Sequence, residues 1–230
     1  MKIHNFFPLS IFLDQINLST EEKNVLIEEI MKMEKNSQNP DHKIRDASWT
    51  GDTQGFEYLY KNKKFEKLFI KIKEKINLYL DFLQVDKEKL DIFMMRSWAT
   101  ISNNQEAIQK HQHLQSHLSF AYYLKKHPND AKFILHDEHK RNEFIPNLFN
   151  SNSLLQKKYV KQITFPTAST VSFDAKEDDI VIFPSKTHHS TERVKANKNR
   201  ISISGDVIFL AKESNLLEYL TPHFSNWKKL

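Results

Sequence analysis

Cysteine is missing altogether from this chain of 230 residues. That absence excludes disulfides, thiolate metal sites and a cysteine nucleophile, and it removes any need for an oxidising compartment. Glycine is scarce as well. Three in the whole chain are too few for a glycine-rich phosphate cradle. No apolar run approaches the roughly 20 residues that span a bilayer. The opening stretch MKIHNFFPLSIFLDQ has one lysine, is interrupted by Pro8 and Asp14, and leads to no small-residue cleavage site. It therefore reads poorly as a signal peptide. These absences lead to the expectation of a cytoplasmic protein without a membrane segment. The net charge of +5 comes from scattered lysines, grouped only briefly at Lys61–Lys64 and Lys195–Lys198. Such lysines make a solvated surface rather than the concentrated basic face that nucleic acid requires, so no nucleic-acid partner is expected.

What is present falls into two grammars. The first part reads as helices. Residues 3–13 are apolar but broken by Pro8, which suits a short edge strand. Ser19 followed by Glu22 is a capping box, and the helix behind it, 20–36, sets Leu26, Ile30 and Met33 on one stripe. A loop is expected over 36–41, around Pro40. The stretch 46–56, DASWTGDTQGF, carries two of the glycines and Trp49, and reads as a turn-rich loop or as a contact loop at a pocket mouth. From 61 to 84, Phe65, Leu68, Ile72, Ile76, Tyr79 and Leu83 recur at helical spacing, the pattern of a scaffold helix packed on a sheet. After Asp91 the chain becomes strands: IFMMRSWATIS, HLSFAYYL, AKFIL, KQITF, STVSF, DIVIFP and RISISGDVIFL. Short β runs without long helices between them indicate a sandwich or barrel. The organisation expected is one domain: helical support over 1–90, a β core over 91–212 and a C-terminal segment over 213–230. Within it, the polar stretch 136–153 reads as a loop long enough to form a flap.

The chemistry concentrates in two stretches. HQHLQSHLSFAYYL, residues 111–124, offers His111 and His113; on an extended strand, residues i and i+2 face the same way and can bind one metal at about 2.1 Å. FPSKTHHSTERVKANKNRISIS, residues 183–204, offers His189 and then Arg200 at the start of an alternating strand. Of the His188–His189 pair, neighbours point opposite ways, so one at most is a ligand. Arg200, Ser202 and Ser204 share one face of that strand and Ile201 and Ile203 the other. An arginine–serine face within a β core is costly unless a polar ligand, such as a carboxylate, satisfies it. The third donor stays open at this level: His111, Gln115, Glu138 or water. His136 with Glu138 forms a rival His-x-Glu pair that would share His189.

In this order, Trp98, the HQHLQSHLSFAYYL run, Phe183-Pro184-Ser185, His189-Ser190 and Arg200-Ile201-Ser202 resemble a family of 2-oxoglutarate- and Fe(II)-dependent oxygenases of bacterial and phage type. Ser48, Trp49 and Gly51 also look like that family's upstream glycine–tryptophan region. The resemblance extends from the start of the chain to about Phe209. It implies a double-stranded β-helix, a jelly-roll core with the metal inside one mouth. It implies Fe(II) held by His111, His113 and His189, and 2-oxoglutarate held by Arg200, Ser202 and Tyr123, with ascorbate as an accessory reductant. The activity implied is a dioxygenase that hydroxylates a small molecule or a peptide and releases succinate and CO2. The chain departs from the family's pattern at Thr100, where an asparagine is usual two residues after the tryptophan. It departs from the wider superfamily at His113, where a carboxylate is usual. The other readings open are a cupin-like metal protein and a three-histidine dioxygenase that does without 2-oxoglutarate.

Overall fold

A computed structural model describes residues 1–37, 47–150, 152–213 and 218–230. The loop expected over 36–41 lies mostly outside these residues, as do Asp46 and part of the C-terminal segment.

Two helices form as their patterns require. Helix α1, Thr20–Lys35, starts at the Ser19–Glu22 capping box, in which each side chain accepts from the other's backbone N–H. Helix α2, Glu66–Phe82, buries Leu68, Ile72, Ile76, Tyr79 and Leu80 along one stripe. Both lie against one face of a six-stranded sheet. Its strands are β1 (Phe12–Gln15), β2 (Trp49–Thr50), β3 (Leu90–Ser102), β4 (Leu118–Lys125), β7 (Asp179–Pro184) and β9 (Arg200–Ala211), in the order β1-β7-β4-β9-β3-β2. Every pairing in it is antiparallel. A second sheet, β6-β5-β8, pairs β5 (Phe133–His136) with β6 (Thr170–Phe173) and β8 (His189–Thr191). β1 and β2 come from the expected helical support and extend the large sheet at its two edges.

Period-2 alternation assigns each strand's side chains to two cores. Ala99, Ile101, Phe120, Tyr122, Ile180, Ile182, Ile201 and Ile203 face the helices and bury against Leu26, Ile30, Leu68 and Ile72. Each such aliphatic side chain stabilises the fold by roughly 1.5–3 kcal/mol. The opposite face meets the small sheet through Tyr123, Val181, Phe183, Phe133 and Ala175. Between the sheets, that face also carries the polar residues that matter below. Gly205 sits where the strands crowd the helix-side core. A Cβ there would come within 2.6 Å of the Phe120 ring.

Two expectations are corrected. KQITF is not a strand: Thr164 precedes a 3-10 turn over Phe165–Thr167, closed by the Thr167 hydroxyl on the Thr164 backbone and fixed by Pro166. A short helix, α3 (Leu154–Tyr159), follows the Ser153 cap instead. His111 and His113 do not lie on a regular strand. They occupy the segment before β4, where His111 makes an isolated antiparallel bridge to His189. No described helix is long and apolar enough to cross a membrane.

Candidate metal centre

The three predicted imidazoles meet between the sheets. His189 opens β8, and its backbone exchanges two hydrogen bonds with His111, of 3.0 and 2.9 Å. This bridge is what carries a residue from before β4 to one beyond β7. His113 is placed by its N–H bonding the carbonyl of Ser185 at 2.9 Å. The ring centroids lie 4.2 Å apart for His111–His189, 5.1 Å for His111–His113 and 5.4 Å for His113–His189. One ring nitrogen from each falls within 4.8 Å of the others, close enough to share one ion.

The second ring nitrogen of each histidine is already engaged. His111 Nδ1 bonds the Gln109 carbonyl at 2.8 Å, and His189 Nδ1 bonds the Thr187 carbonyl at 2.9 Å. His113 Nδ1 bonds Asp206 Oδ1 at 2.6 Å. Carbonyl and carboxylate oxygens only accept, so every Nδ1 carries the proton and donates it. Every Nε2 then keeps a bare lone pair, the tautomer a metal requires. Burial pushes His189 down to about 3, with the field of His111 adding to it. His111 is likewise lowered by burial. Both are therefore neutral at neutral pH.

Asp206 is fully buried and accepts five hydrogen bonds. Oδ1 takes His113 Nδ1, Ser119 Oγ at 2.9 Å and Ser116 Oγ at 3.2 Å. Oδ2 takes Arg96 Nη2 at 3.1 Å and Gln115 Nε2 at 3.2 Å. Burial pushes its carboxyl up, but these donors outweigh burial and hold it below the ordinary carboxylate value. Trp98 stacks on the His113 ring, 5.7 Å away at 19°.

Further along the same face stands Arg200, which is buried. Its Nη2 donates to Ser102 Oγ at 2.8 Å, the residue directly opposite across the β3–β9 ladder. Its Nη1 reaches the Ala131 carbonyl only at 3.5 Å, and its Nε has no partner. Among the described residues no carboxylate forms an ion pair with this guanidinium. Burial lowers its proton affinity, while the neighbouring Tyr123 and Asp130 oppose that change. Tyr123 stands across the ladder from Ser202, and burial raises its hydroxyl to about 12, so it remains a neutral phenol. Its neighbour Tyr122 faces the helix-side core and donates to Asp178.

One cavity of about 230 Å³ connects these groups; His111, His113, His189, Tyr123, Arg200 and Ser202 all line it. Thr50 and Asp52 from the 46–56 stretch also reach it. Among the described residues of 136–153, none lines it. The rival pair is not assembled: His136 Nε2 bonds Ser190 Oγ at 2.9 Å, and Glu138 pairs with Lys110. Gln115 spends its amide on Asp206. Sequence reasoning missed Asp206 and Arg96. Asp206 shares parity with Arg200, Ser202 and Ser204, which it had set on one face, and Arg96 stands opposite Asp206 across the β3–β9 ladder.

Comparison with known proteins agrees with this geometry. No curated protein matches the sequence. The fold resembles the non-heme alpha ketoglutarate-dependent epimerase SnoN of nogalamycin biosynthesis, with a TM-score of 0.57 at 9% identity, covering 91% of this chain and 83% of that one. It also resembles HygX from Streptomyces hygroscopicus, solved with nickel, 2-oxoglutarate and hygromycin B, with a TM-score of 0.56 at 9% identity, covering 93% and 92%. A third is the viral collagen prolyl hydroxylase of Paramecium Bursaria Chlorella virus-1, with a TM-score of 0.50 at 14% identity, covering 86% and 94%. Such distant likenesses establish the double-stranded β-helix fold. Residues 96–206 match the family model described as "Putative 2OG-Fe(II) oxygenase". That segment, just under half of the chain, holds all three imidazoles together with Arg96, Arg200 and Asp206, and over it the chain is similar to the 2OG-Fe(II) oxygenase family.

Proposed function

We propose that this protein is a 2-oxoglutarate- and Fe(II)-dependent dioxygenase that hydroxylates a small molecule or a peptide side chain. The single observation that carries this reading is the pairing of two unsatisfied features in one cavity. Three imidazoles each bring one ring nitrogen within 4.8 Å of the others, and a buried guanidinium lines the same cavity with an unpartnered Nε and, among the described residues, no carboxylate paired to it. A divalent metal answers the first and a dicarboxylate the second. A structural zinc site accounts for the histidines but leaves Arg200 unexplained.

Under this reading His111, His113 and His189 hold Fe(II), and Arg200, with Ser202 and Tyr123 beside it, receives the distal carboxylate of 2-oxoglutarate. When bound, iron and 2-oxoglutarate supply oxidation of a substrate C–H bond by dioxygen, with release of succinate and CO2. The chain's own residues bind, orient and exclude water. The Ser102 hydroxyl fixes one arm of the Arg200 fork, leaving Nε and Nη1 directed by a rigid strand rather than a loop. The two neutral carbonyls behind His111 and His189, and the carboxylate behind His113, hold the rings in their working tautomer before any metal arrives. Phe133 and Phe183 stack and tilt against His189, at 5.6 and 4.6 Å, and keep that side of the centre dry. HygX, which shares the fold, has been solved with iron and with nickel and 2-oxoglutarate, which supports the same pair of ligands here.

The test is anaerobic titration with Fe(II) followed by 2-oxoglutarate. A weak visible charge-transfer band is expected when the oxo acid chelates the metal, and Arg200→Ala should require far more 2-oxoglutarate to produce it. Stoichiometric metal binding with no band at saturating 2-oxoglutarate would favour the three-histidine dioxygenase that does without it.

A further inference from the structure

We infer that Asp206 is a positioning residue that backs the neutral His113 ring with a carboxylate, supplying from behind the ring the negative charge that a carboxylate ligand would bring to the metal directly. The inference rests on the metal reading above and deepens it. Its basis is an asymmetry among three otherwise similar histidines. His111 and His189 lean on backbone carbonyls, which are neutral, at 2.8 and 2.9 Å. His113 leans on a carboxylate at 2.6 Å, the shortest of the three contacts, and that carboxylate is fully buried. Charge-assisted bonds of this kind run short and are about twice as strong as neutral ones. A carboxylate behind an imidazole raises the ring's basicity and fixes its tautomer.

The neighbouring charges leave that role intact. Arg96 approaches Asp206 at 3.1 Å but on Oδ2, the oxygen His113 does not use. Arg96 also lies 3.8 Å from Asp52. One guanidinium thus stands between two carboxylates, and Asp206, Arg96 and Asp52 together keep one net negative charge beside the imidazoles. Ser116 and Ser119 hold Oδ1 from the far side and are themselves tied to Ser185, whose carbonyl fixes the backbone of His113. The acid and the backbone of the histidine it serves are thereby held by one small network.

The experiment measures Co(II) affinity calorimetrically for the full chain and three variants: Asp206→Asn, His113→Asp and the double variant. Asparagine keeps an acceptor for the Nδ1 proton but removes the charge. A loss of roughly 10- to 100-fold in affinity is expected for Asp206→Asn. With His113→Asp a carboxylate faces the metal itself, so adding Asp206→Asn should cost nothing, or should improve binding by separating two buried acids. Equal affinity in Asp206→Asn and the parent chain would overturn the inference. So would the same loss in both backgrounds, which would show a merely structural residue. If Asp206→Asn does not fold, the Zn(II)-loaded parent chain gives the answer by long-range proton–nitrogen NMR of its histidine rings. The His113 Nδ1 proton should appear, and should lie downfield of those of His111 and His189; a His113 protonated on Nε2, or three equivalent shifts, contradicts the inference. A parent chain that binds no Co(II) at all sinks the metal reading itself, which is a distinct result.

Discussion

At the scale of single residues, the decisive feature is a set of buried polar atoms that the protein alone does not satisfy. Arg200 is the clearest case, since a buried cation without a counter-charge costs several kcal/mol. Removing it with Arg200→Ala should weaken 2-oxoglutarate binding by about 2–4 kcal/mol, roughly 30- to 700-fold. Metal affinity should stay within a few-fold, and calorimetric titration of each ligand separates the two effects. Arg200→Lys should recover little, because a lysine cannot present the planar fork that Ser102 now braces. His189→Ala should instead abolish stoichiometric Fe(II) binding, checked by metal analysis after desalting. The sequence made much of this legible. Alternation assigned Arg200 and Ser202 inward and Ile201 and Ile203 to the other core, as observed. The same alternation carried one step further, past Ser204, reaches Asp206. It was not legible that His111 would be joined to His189 by a backbone bridge, because that contact depends on how the segment before β4 turns rather than on any local pattern.

At the scale of elements, β9 organises the molecule. Its inner face runs Arg200, Ser202, Ser204, Asp206, so the backbone positions that carry a guanidinium at one end and a carboxylate at the other lie about 20 Å apart along a strand rising ~3.3 Å per residue. Across from them β3 offers Ser102, Thr100, Trp98 and Arg96 in register. Both sets are rigid because the opposite faces of the strands are locked into the helix-side core. Gly205 belongs to that core face. Gly205→Ala would press a methyl into the Phe120 ring, and a loss of about 1–3 kcal/mol is expected from overpacking, read from the urea midpoint. Sequence reading located α1, α2 and most strands because their periodicity is long or strict. It failed where elements are short. KQITF has strand-like residues, yet Thr164 and Thr167 close it into a turn locally, and α3 is too brief to show a helical period.

Taken whole, the molecule is a barrel whose metal end is assembled before the metal arrives, and its stability should report that. His189 titrates near 3 when folded, against about 6.5 for an unfolded histidine. His111 is shifted the same way. Between those values the unfolded chain binds protons that the folded chain refuses, so stability is complete above pH 6.5 and falls as pH drops towards 3. Carboxylates such as Glu29 and Asp174, which are lowered in the fold, add their losses only below about pH 4.5, under the unfolded carboxylate range. The metal-free protein should therefore lose thermal stability between pH 6.5 and 5, and His189→Gln should flatten that decline. At neutral pH, metal at one hundred times its dissociation constant should add about 2.7 kcal/mol, or roughly 5–10 °C in the melting temperature for a domain of this size.

The most direct test of the account is an anaerobic crystal structure with Fe(II) and 2-oxoglutarate. The account predicts one iron bound by Nε2 of His111, His113 and His189, with the distal carboxylate of 2-oxoglutarate on the Arg200 guanidinium. Iron held elsewhere, or an oxo acid that leaves Arg200 without a partner, would contradict it.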